Sequence, residues 1–342
     1  MSKIHQYQIF SNIQKIIQSL SLIVISSVFG LLGCEILSRI LVPEFNTSID
    51  LKYEKRLDDD VSVGKPFSSY RQKKNTGDYN VNIEFNSLGL RDSIIPSQAD
   101  QLSWIALGDS TTFGHGISEG YRFSDILREE FDIPTVNVAS PTDFEGYITL
   151  LNYIKASGSK LNKLIIGASM ETDIKNYESR FKNVGRSDAF VKFKRILTKY
   201  STAYNYITTA VHTDPNMKAF AIKIGFIKSN SDGIFLTDYN IDSIKSSANK
   251  VVEVSQGYDT IVLLIPSRKL WIGSKYEKDI ALKIHNKFIE LLISNDLIVV
   301  DMKKILEKEI PIKYYFKNDG HWNNDGHRAA AIALRNEILK YK

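Results

Sequence analysis

A serine stands directly after an apolar run, in the stretch IALGDSTTFGHG at residues 105–116. Residues 104–107 have the composition of a buried strand, and the run stops at Gly-Asp-Ser. Ser110 is therefore expected at the carboxyl edge of a sheet, where ligands bind in open α/β folds. From this stretch alone, Ser110 belongs either to a tight turn into a helix or to a nucleophilic site.

A serine becomes a nucleophile only when a base takes its proton, so the histidines decide between these interpretations. Of the six histidines, His321 lies in DGHWNNDGH, residues 319–327. Asp319 can accept a hydrogen bond from one ring nitrogen and leave the other for a serine hydroxyl. An Asp-x-His loop is also a common metal half-site, but no further acidic or histidine cluster completes one in the sequence. The pattern favours nucleophilic catalysis and predicts neither metal nor cofactor.

Short apolar runs alternate with amphipathic patterns from residue 103 onward. Gly, Ser, Pro or Asp ends each apolar run, as expected for strands buried on both faces. The predicted strands lie at residues 104–109, 134–140, 163–169, 259–266 and 297–301. The helical patterns lie at residues 122–131, 145–157, 242–256, 277–294 and 326–341. This alternation predicts an α/β protein whose helices cover both faces of a five-stranded parallel sheet.

Two of these segments resemble a known family. GDSTTFG, residues 108–114, resembles the first sequence block of the SGNH (GDSL-type) hydrolase superfamily, and DGHWNNDGH resembles the last. NSLGLRD, residues 86–92, resembles the lead-in of membrane-anchored bacterial members, and LLIPSRKLW, residues 263–271, resembles the branch with alginate O-acetyltransferase-like proteins. The resemblance covers about residues 80–342 and implies the flavodoxin-like, three-layer α/β/α fold of that superfamily.

The resemblance also implies a catalytic triad. Ser110 is expected to be the nucleophile, His321 the general base and Asp319 the group that orients the base. The implied activity is hydrolysis of acyl esters, O-acetyl esters of cell-envelope glycans above all. Two alternatives stay open: an O-acyltransferase that modifies an exported polysaccharide with the same triad, and a non-catalytic, membrane-tethered binding protein that kept the fold.

The family's oxyanion hole combines the backbone N–H of the nucleophile with a Gly and an Asn from two further blocks. Here the N–H of Ser110 is one expected donor, and Ala139 and Ser140 stand near the expected Gly. Thr172 stands where the Asn is usual, and its hydroxyl is shorter and differently aimed. Because a lost oxyanion donor costs about 2.7–4 kcal/mol of transition-state stabilisation, the resemblance predicts a slow enzyme.

The composition of the chain limits the kinds of molecule that it is expected to bind. The chain has 342 residues, 43% hydrophobic and 24% charged, as in ordinary folded proteins. Its net charge of +5 comes largely from dispersed lysines, without a basic stripe that would favour nucleic acid. Cys34, the single cysteine, excludes an internal disulfide framework. We therefore expect an acyl-ester or glycan substrate and no nucleic acid, and no pattern points to a protein partner.

Residues 16–42 form an apolar segment long enough to cross a bilayer. Lys3 and Lys15 precede it, so the positive-inside rule leaves residues 1–15 in the cytoplasm and places the rest in the periplasm or outside the cell. A signal anchor fits best because no small-residue cleavage site follows the apolar core. A cleaved signal peptide and lipidation at Cys34, within LLGC, are the alternatives.

These patterns predict a domain order. A juxtamembrane arm is expected over residues 43–100, with short strands around residues 79–85, and an SGNH hydrolase-like domain over residues 101–342. Residues 176–240 interrupt the strand–helix alternation and are expected to form an insertion with a helix over residues 188–211. Its Tyr and Phe side chains could stack on sugar rings or simply pack the insertion.

Overall fold

The computed structural model describes residues 3–45, 53–57, 61–74, 76–178, 193, 196–213, 215–224 and 240–341. The chain divides into two compact units. The smaller unit consists of Met1–Ser48 and Gly185–Met217, and the larger unit consists of Ile49–Val184 and Lys218–Lys342.

The larger unit is built on a parallel sheet of five strands in the order β6-β5-β7-β8-β9. The strands of the described chain are β1 (Tyr53–Arg56), β2 (Ser62–Gly64), β3 (Ser69–Lys73), β4 (Asn80–Glu84), β5 (Trp104–Gly108), β6 (Thr135–Asn137), β7 (Lys163–Ser169), β8 (Asp259–Ile265) and β9 (Ile298–Asp301). The chain leaves β5 for β6 on one side and then returns to β7 on the other. The strand order thus reverses at β5, the position at which open α/β sheets bind ligands.

Helices cover both faces of this sheet, which confirms the predicted α/β architecture. The helices of the described residues are α1 (Lys3–Leu41), α2 (Ser110–Phe113), α3 (Phe123–Glu129), α4 (Phe144–Ala156), α5 (Thr202–Thr213), α6 (Pro215–Lys223), α7 (Ile241–Ser255), α8 (Lys275–Ile293), α9 (Met302–Leu306) and α10 (Asn324–Ile338), of which α1 and α5 belong to the smaller unit. Apolar residues of α4, α7 and α8 share one core cluster with Ile105 and Leu107 of β5. Trp104 and Ala106 point into the other cluster, with α3, α9 and α10. The alternation along β5 separates the two layers.

The residues before the sheet form two antiparallel hairpins within the larger unit, β1–β2 and β3–β4. Strand β4 confirms the short strand expected around residues 79–85. Ile83 of β4 and the neighbouring Phe85 share a small core with Phe113 of α2. The β3–β4 hairpin therefore packs against the turn that carries Ser110, whereas the sequence predicted a connecting arm for this segment.

The NSLGLRD segment forms hydrogen bonds with the same turn through Arg91. The buried guanidinium of Arg91 donates to the carbonyl of Phe113 at 3.1 Å and also to the carbonyls of Gly114 and Ile117. Gly114 ends α2 with a φ of 84°, a conformation that costs a glycine little. The Arg91 side chain thus satisfies the Phe113 carbonyl at the end of the short helix and adds a donor to two carbonyls of the turn that follows.

The smaller unit contains α1, a 3-10 turn at Pro43–Phe45 and α5. Within α1, Gln14–Leu41 comprises 28 residues of mean hydropathy 2.2, long and apolar enough to cross a membrane. Of the helix predicted over residues 188–211, the later part is present in α5, and residues 179–192 and 194–195 lie outside the described residues.

His327, in the first turn of α10, is a structural histidine. Its Nδ1 accepts a hydrogen bond from the N–H of Phe123 at 3.2 Å, and the ring is fully enclosed. Burial, followed by the charge of nearby Arg122, lowers its pKa to about 3, although the charge of Asp125 acts in the opposite direction. The ring is therefore neutral in the folded protein at a pH where the unfolded chain binds a proton.

This pKa predicts an acid-dependent loss of stability. Between about pH 3 and 6.5 the unfolded state binds the extra proton at His327, so this residue makes the free energy of unfolding rise with pH by up to about 1.4 kcal/mol per unit. The variant His327→Gln should lose that slope. Urea unfolding of both proteins from about pH 4 to pH 6.5 measures it, and parallel curves would contradict the assignment.

Candidate active site

Ser110 lies just after β5, as the sequence predicted, and it is the first residue of the short helix α2, which the sequence did not predict. Asp109 caps this short helix, since its carboxylate accepts a hydrogen bond from the N–H of Thr111 at 2.8 Å. Within the described part of the chain, the backbone N–H of Ser110 has no hydrogen-bond acceptor. This N–H is thus available to a group outside the protein.

The structure brings Ser110, His321 and Asp319 together. Ser110 Oγ lies 2.8 Å from His321 Nε2, although 211 residues separate them. On the other side of the ring, His321 Nδ1 is hydrogen-bonded to Asp319 Oδ1, which also accepts the His321 backbone N–H at 3.1 Å. Asp319 thus holds the ring in the tautomer that leaves Nε2 as an acceptor for the serine proton.

Two residues of the β3–β4 hairpin contact the far oxygen of Asp319. The ammonium of Lys74 lies 2.9 Å from Asp319 Oδ2, and the hydroxyl of Tyr79 lies 3.5 Å from the same atom. Burial by itself would raise the pKa of Asp319, but the hydrogen bond and charge of His321, together with Lys74, hold that pKa well below its usual range. Asp319 therefore stays ionised next to His321.

A second histidine, His115, stacks on His321, with ring centroids 4.2 Å apart and planes 22° from parallel. Gln72 Nε2 lies 3.0 Å from His115 Nδ1, and the Tyr79 hydroxyl lies 2.8 Å from His115 Nε2. Burial, followed by the charge of His321, lowers the pKa of His115 to about 3. The result is a neutral ring that fixes the plane of His321 without adding charge beside it.

His115, Asp319 and His321 also form a group that could offer three ligand atoms to a metal ion, within 4.8 Å of one another. Each of these atoms already has a protein partner, and the Lys74 ammonium adjoins the carboxylate. A cation here would have to displace Ser110 from His321 and face Lys74. The contacts therefore suit proton transfer better than metal binding.

The groups predicted to complete the oxyanion hole have other partners. The N–H of Ala139 donates to Asn137 Oδ1 at 3.1 Å, and the N–H of Ser140 donates to the carbonyl of Gly108 at 3.3 Å. The Thr172 hydroxyl lies 3.1 Å from Asp109 Oδ2. These contacts argue against the oxyanion role predicted for Ala139, Ser140 and Thr172.

Thr172 instead contacts two buried acidic residues near the nucleophile, Asp109 and Asp173. Its hydroxyl lies 3.2 Å from Asp173 Oδ1, and Asp173 Oδ2 accepts hydrogen bonds from Ser169 N–H at 2.9 Å and from the Tyr147 hydroxyl at 3.0 Å. Burial raises the pKa of Asp109, and burial with the charge of Asp109 raises the pKa of Asp173 well above its usual range. The Thr172 hydroxyl lies between these two carboxyl groups.

A cavity of about 240 Å³ opens beside Ser110 and His321. Arg268 forms part of its wall, and its side chain is paired with Glu171 through Nε at 3.2 Å and Nη2 at 3.2 Å. Gly320 lets this guanidinium approach the triad loop, because a Cβ at that position would lie 2.6 Å from Arg268 Nη2. The cavity is small, and the ion pair of Arg268 and Glu171 lies at its edge.

Sequence reasoning missed the side chains that surround the triad. His115 lies in the same stretch as Ser110, but a separation of five residues indicates no contact with Ser110, and in the structure His115 contacts His321 instead. Gln72, Lys74 and Tyr79 come from a hairpin about 240 residues before Asp319, and no local pattern marks them.

No family model matches this chain, and no curated protein matches it. Among solved structures, a protein of Slackia heliotrinireducens assigned to the SGNH hydrolases is 10% identical, with 70% of this chain and 100% of that chain covered and a TM-score of 0.37. A lipase/acylhydrolase from Enterococcus faecalis is 11% identical, with 69% and 94% covered and a TM-score of 0.39. An acetylxylan esterase from Geobacillus stearothermophilus is 12% identical, with 70% and 95% covered and a TM-score of 0.38.

Proposed function

We propose that this protein is a serine-dependent ester hydrolase of the SGNH type. One observation carries the proposal: Ser110 Oγ lies 2.8 Å from His321 Nε2 while Asp319 binds the opposite nitrogen of the same ring. A serine, a base and an orienting carboxylate in this order are the arrangement that activates a hydroxyl for attack on a carbonyl carbon.

In the proposed reaction, Ser110 Oγ attacks the ester carbonyl as its proton passes to His321 Nε2. The tetrahedral intermediate collapses, the ester C–O bond breaks, and the imidazolium protonates the leaving alkoxide. Water, deprotonated by His321, then attacks the acyl-serine and releases the acid with Ser110 restored. Asp319, kept ionised by Lys74, stabilises the positive charge of the imidazolium in both halves.

The free N–H of Ser110 is the oxyanion donor that these contacts support best. It lies just after β5, at the start of α2, where Asp109 accepts from the N–H of Thr111 and leaves the N–H of Ser110 without an acceptor among the described residues. Because Ala139, Ser140 and Thr172 form hydrogen bonds within the protein, we propose that the oxyanion hole has few donors. We therefore expect a slow enzyme.

We propose an O-acetyl ester as the substrate class, and a cell-envelope glycan as the alcohol that carries it. The cavity of about 240 Å³ is below the range of pockets that hold drug-sized ligands and fits a small acyl group. If α1 spans the membrane as a signal anchor, the triad lies outside the cytoplasm with such glycans. Transfer of the acyl group to a sugar hydroxyl would use the same residues.

A chain-length series tests the ester proposal. Full-length protein in detergent is assayed with p-nitrophenyl acetate, butyrate and decanoate. We expect the highest kcat/KM with acetate and a steep fall as the acyl chain exceeds the cavity. Equal rates for the three esters would contradict the acetyl assignment, and no hydrolysis of any would contradict the proposed function.

His115 is predicted to position the base. His115→Ala removes the ring that stacks on His321, so kcat should fall by about ten- to a hundredfold with KM nearly unchanged. His115→Phe keeps the aromatic surface without the hydrogen bonds to Gln72 and Tyr79, and it should retain more activity. Steady-state kinetics with p-nitrophenyl acetate measure both. Equal losses in the two variants, or a change confined to KM, would contradict a stacking role.

Thr172→Val tests the oxyanion assignment. Thr172 lines the cavity, but its hydroxyl already donates to Asp109, so we expect kcat to fall less than about threefold, against the roughly 10²–10³-fold loss caused by removing an oxyanion donor. The melting temperature is measured in parallel because a donor to buried Asp109 is lost. A loss of the larger size in a folded variant would restore Thr172 to the oxyanion hole.

A further inference from the structure

A carboxylate near the end of α1 anchors the start of α5. Glu35 Oε1 accepts the backbone N–H of Thr202 at 3.0 Å, and Oε2 accepts the N–H of Ala203 at 3.2 Å and the hydroxyl of Ser201 at 2.8 Å. Glu35 therefore serves as an N-cap supplied by another helix, satisfying N–H groups at the start of α5.

Arg39 adds two contacts to this connection between α1 and α5, which we call the joint. It pairs with Glu35 at 2.7 Å and donates to the carbonyl of Tyr200 at 2.8 Å. After α1 ends, Phe45 packs edge-on against Tyr206, with ring centroids 5.3 Å apart, and its carbonyl accepts from Asn205 Nδ2 at 3.3 Å. The contacts lie entirely within the smaller unit and fix α5 to the last turns of α1.

The joint lies at a defined distance along the apolar helix. Lys15 and Glu35 are the nearest charged residues on either side of an uncharged stretch and are twenty positions apart. At 1.5 Å per residue this separation is about 30 Å, the thickness of the hydrocarbon core of a bilayer. A span between these charges puts Glu35, Arg39 and the attached start of α5 at the level of the lipid headgroups.

The surface of α5 and of the preceding helical residues 196–200 is suited to the headgroup region. Thr202 and Asn205 are buried, whereas apolar and aromatic side chains elsewhere on the segment are 45–59% exposed: Ile196, Tyr200, Tyr206 and Ile207. Lys199 is exposed beside the ring of Tyr200, at 4.9 Å. Tyrosines, exposed aliphatic side chains and long cations are the composition of helices that lie in a membrane interface.

We propose that residues 196–213 bind lipid at the membrane–water interface on the side of the membrane away from the cytoplasm. Together with α1 they form a two-part membrane attachment. The proposal rests on α1 spanning the membrane, as in the proposed function. It gives a lipid-binding role to a segment whose Tyr and Phe side chains the sequence predicted either to stack on sugar rings or to pack the insertion. The contact with Glu35, 167 residues away from Thr202, is what carries it.

Spin labelling of the full-length chain tests the location of this segment. With Cys34 replaced by serine, single cysteines are introduced at Ile207, at Ile25 in α1 and at Ile310, an exposed isoleucine of the larger unit. The labelled proteins are reconstituted in vesicles of phosphatidylethanolamine and phosphatidylglycerol. Collision rates with oxygen, which concentrates in lipid, and with a water-soluble nickel chelate are then compared by electron paramagnetic resonance.

We expect the ratio of oxygen to nickel collisions to be highest at Ile25, intermediate at Ile207 and lowest at Ile310. A label at Ile207 as accessible to nickel as the label at Ile310, with Ile25 in lipid, would overturn the interfacial proposal and leave the anchor intact. Protection from both reagents at Ile207 would indicate contact with protein and overturn it as well. A water-exposed Ile25 would overturn the anchor itself.

Discussion

Replacing Ser110 with alanine is expected to lower the hydrolysis of p-nitrophenyl acetate by at least about a thousandfold. The variant keeps His321 and Asp319 but has no oxygen to form the acyl-enzyme, and loss of the nucleophile removes most of the rate enhancement of a serine hydrolase. The loss should appear in kcat, because the cavity beside the triad remains. Initial rates in detergent, corrected for spontaneous hydrolysis, measure it.

Ser118→Ala is the matched control for this experiment. Ser118 lies in the loop after α2 and is exposed, with no hydroxyl contact to the triad among the described residues. Its loss should leave the rate unchanged. If Ser110→Ala were as active as Ser118→Ala, the esterase activity of the preparation would belong to another residue or another protein, and the triad would be a structural arrangement only.

The largest loss of stability is expected from Arg122→Met. The Arg122 guanidinium is fully buried, donates to both carboxylate oxygens of Asp125 at 2.6 and 2.7 Å, and also donates to the carbonyl of Arg91. Burial alone would raise the pKa of Asp125, but the charge and hydrogen bonds of Arg122 lower it. Without Arg122 the buried carboxylate loses its main partner, which costs about 3–5 kcal/mol.

The free energy of unfolding, measured with urea and the fluorescence of the buried tryptophans, gives this value directly. Arg328→Met is the control, because Arg328 pairs with Glu130 at 2.6 Å on the surface of the same face. Solvent screens that pair, so the unfolding midpoint should not move. Equal midpoints for Arg122→Met and Arg328→Met would contradict this prediction. They would show that Arg128, which also contacts Asp125, is enough to stabilise the buried carboxylate of Asp125.

Fold class could be predicted from the sequence because its causes are local. Strands buried on both faces need continuous apolar runs, and β5, β7 and β8 are such runs ended by Gly, Ser or Pro. Ser110 and the Asp319–His321 pair were also visible, since each motif is a short contiguous stretch. The distance of 2.8 Å between Ser110 Oγ and His321 Nε2 was not predictable in this way, because His321 lies in the loop before α10 and not at the end of a strand.

The parts that could not be predicted depend on contacts between distant segments. Lys74 reaches Asp319 across 245 residues, and Thr172 finds Asp109 across 63, so no pattern near either residue indicates its partner. The role of residues 196–213 depends on Glu35, whose spacing of four residues from Arg39 indicates a pair on one helix face but gives no sign of a contact with residues 201–203. The structure confirms that pair and adds the start of α5 to it.

The central claim is that His321 activates Ser110 as a nucleophile, and covalent labelling tests it most directly. Full-length protein is treated with a fluorophosphonate, digested, and mapped by mass spectrometry. We predict a single phosphonyl adduct on Ser110, at least about a hundredfold slower to form in His321→Ala. An adduct on another residue, or equal labelling of Ser110 in the two proteins, would contradict the account.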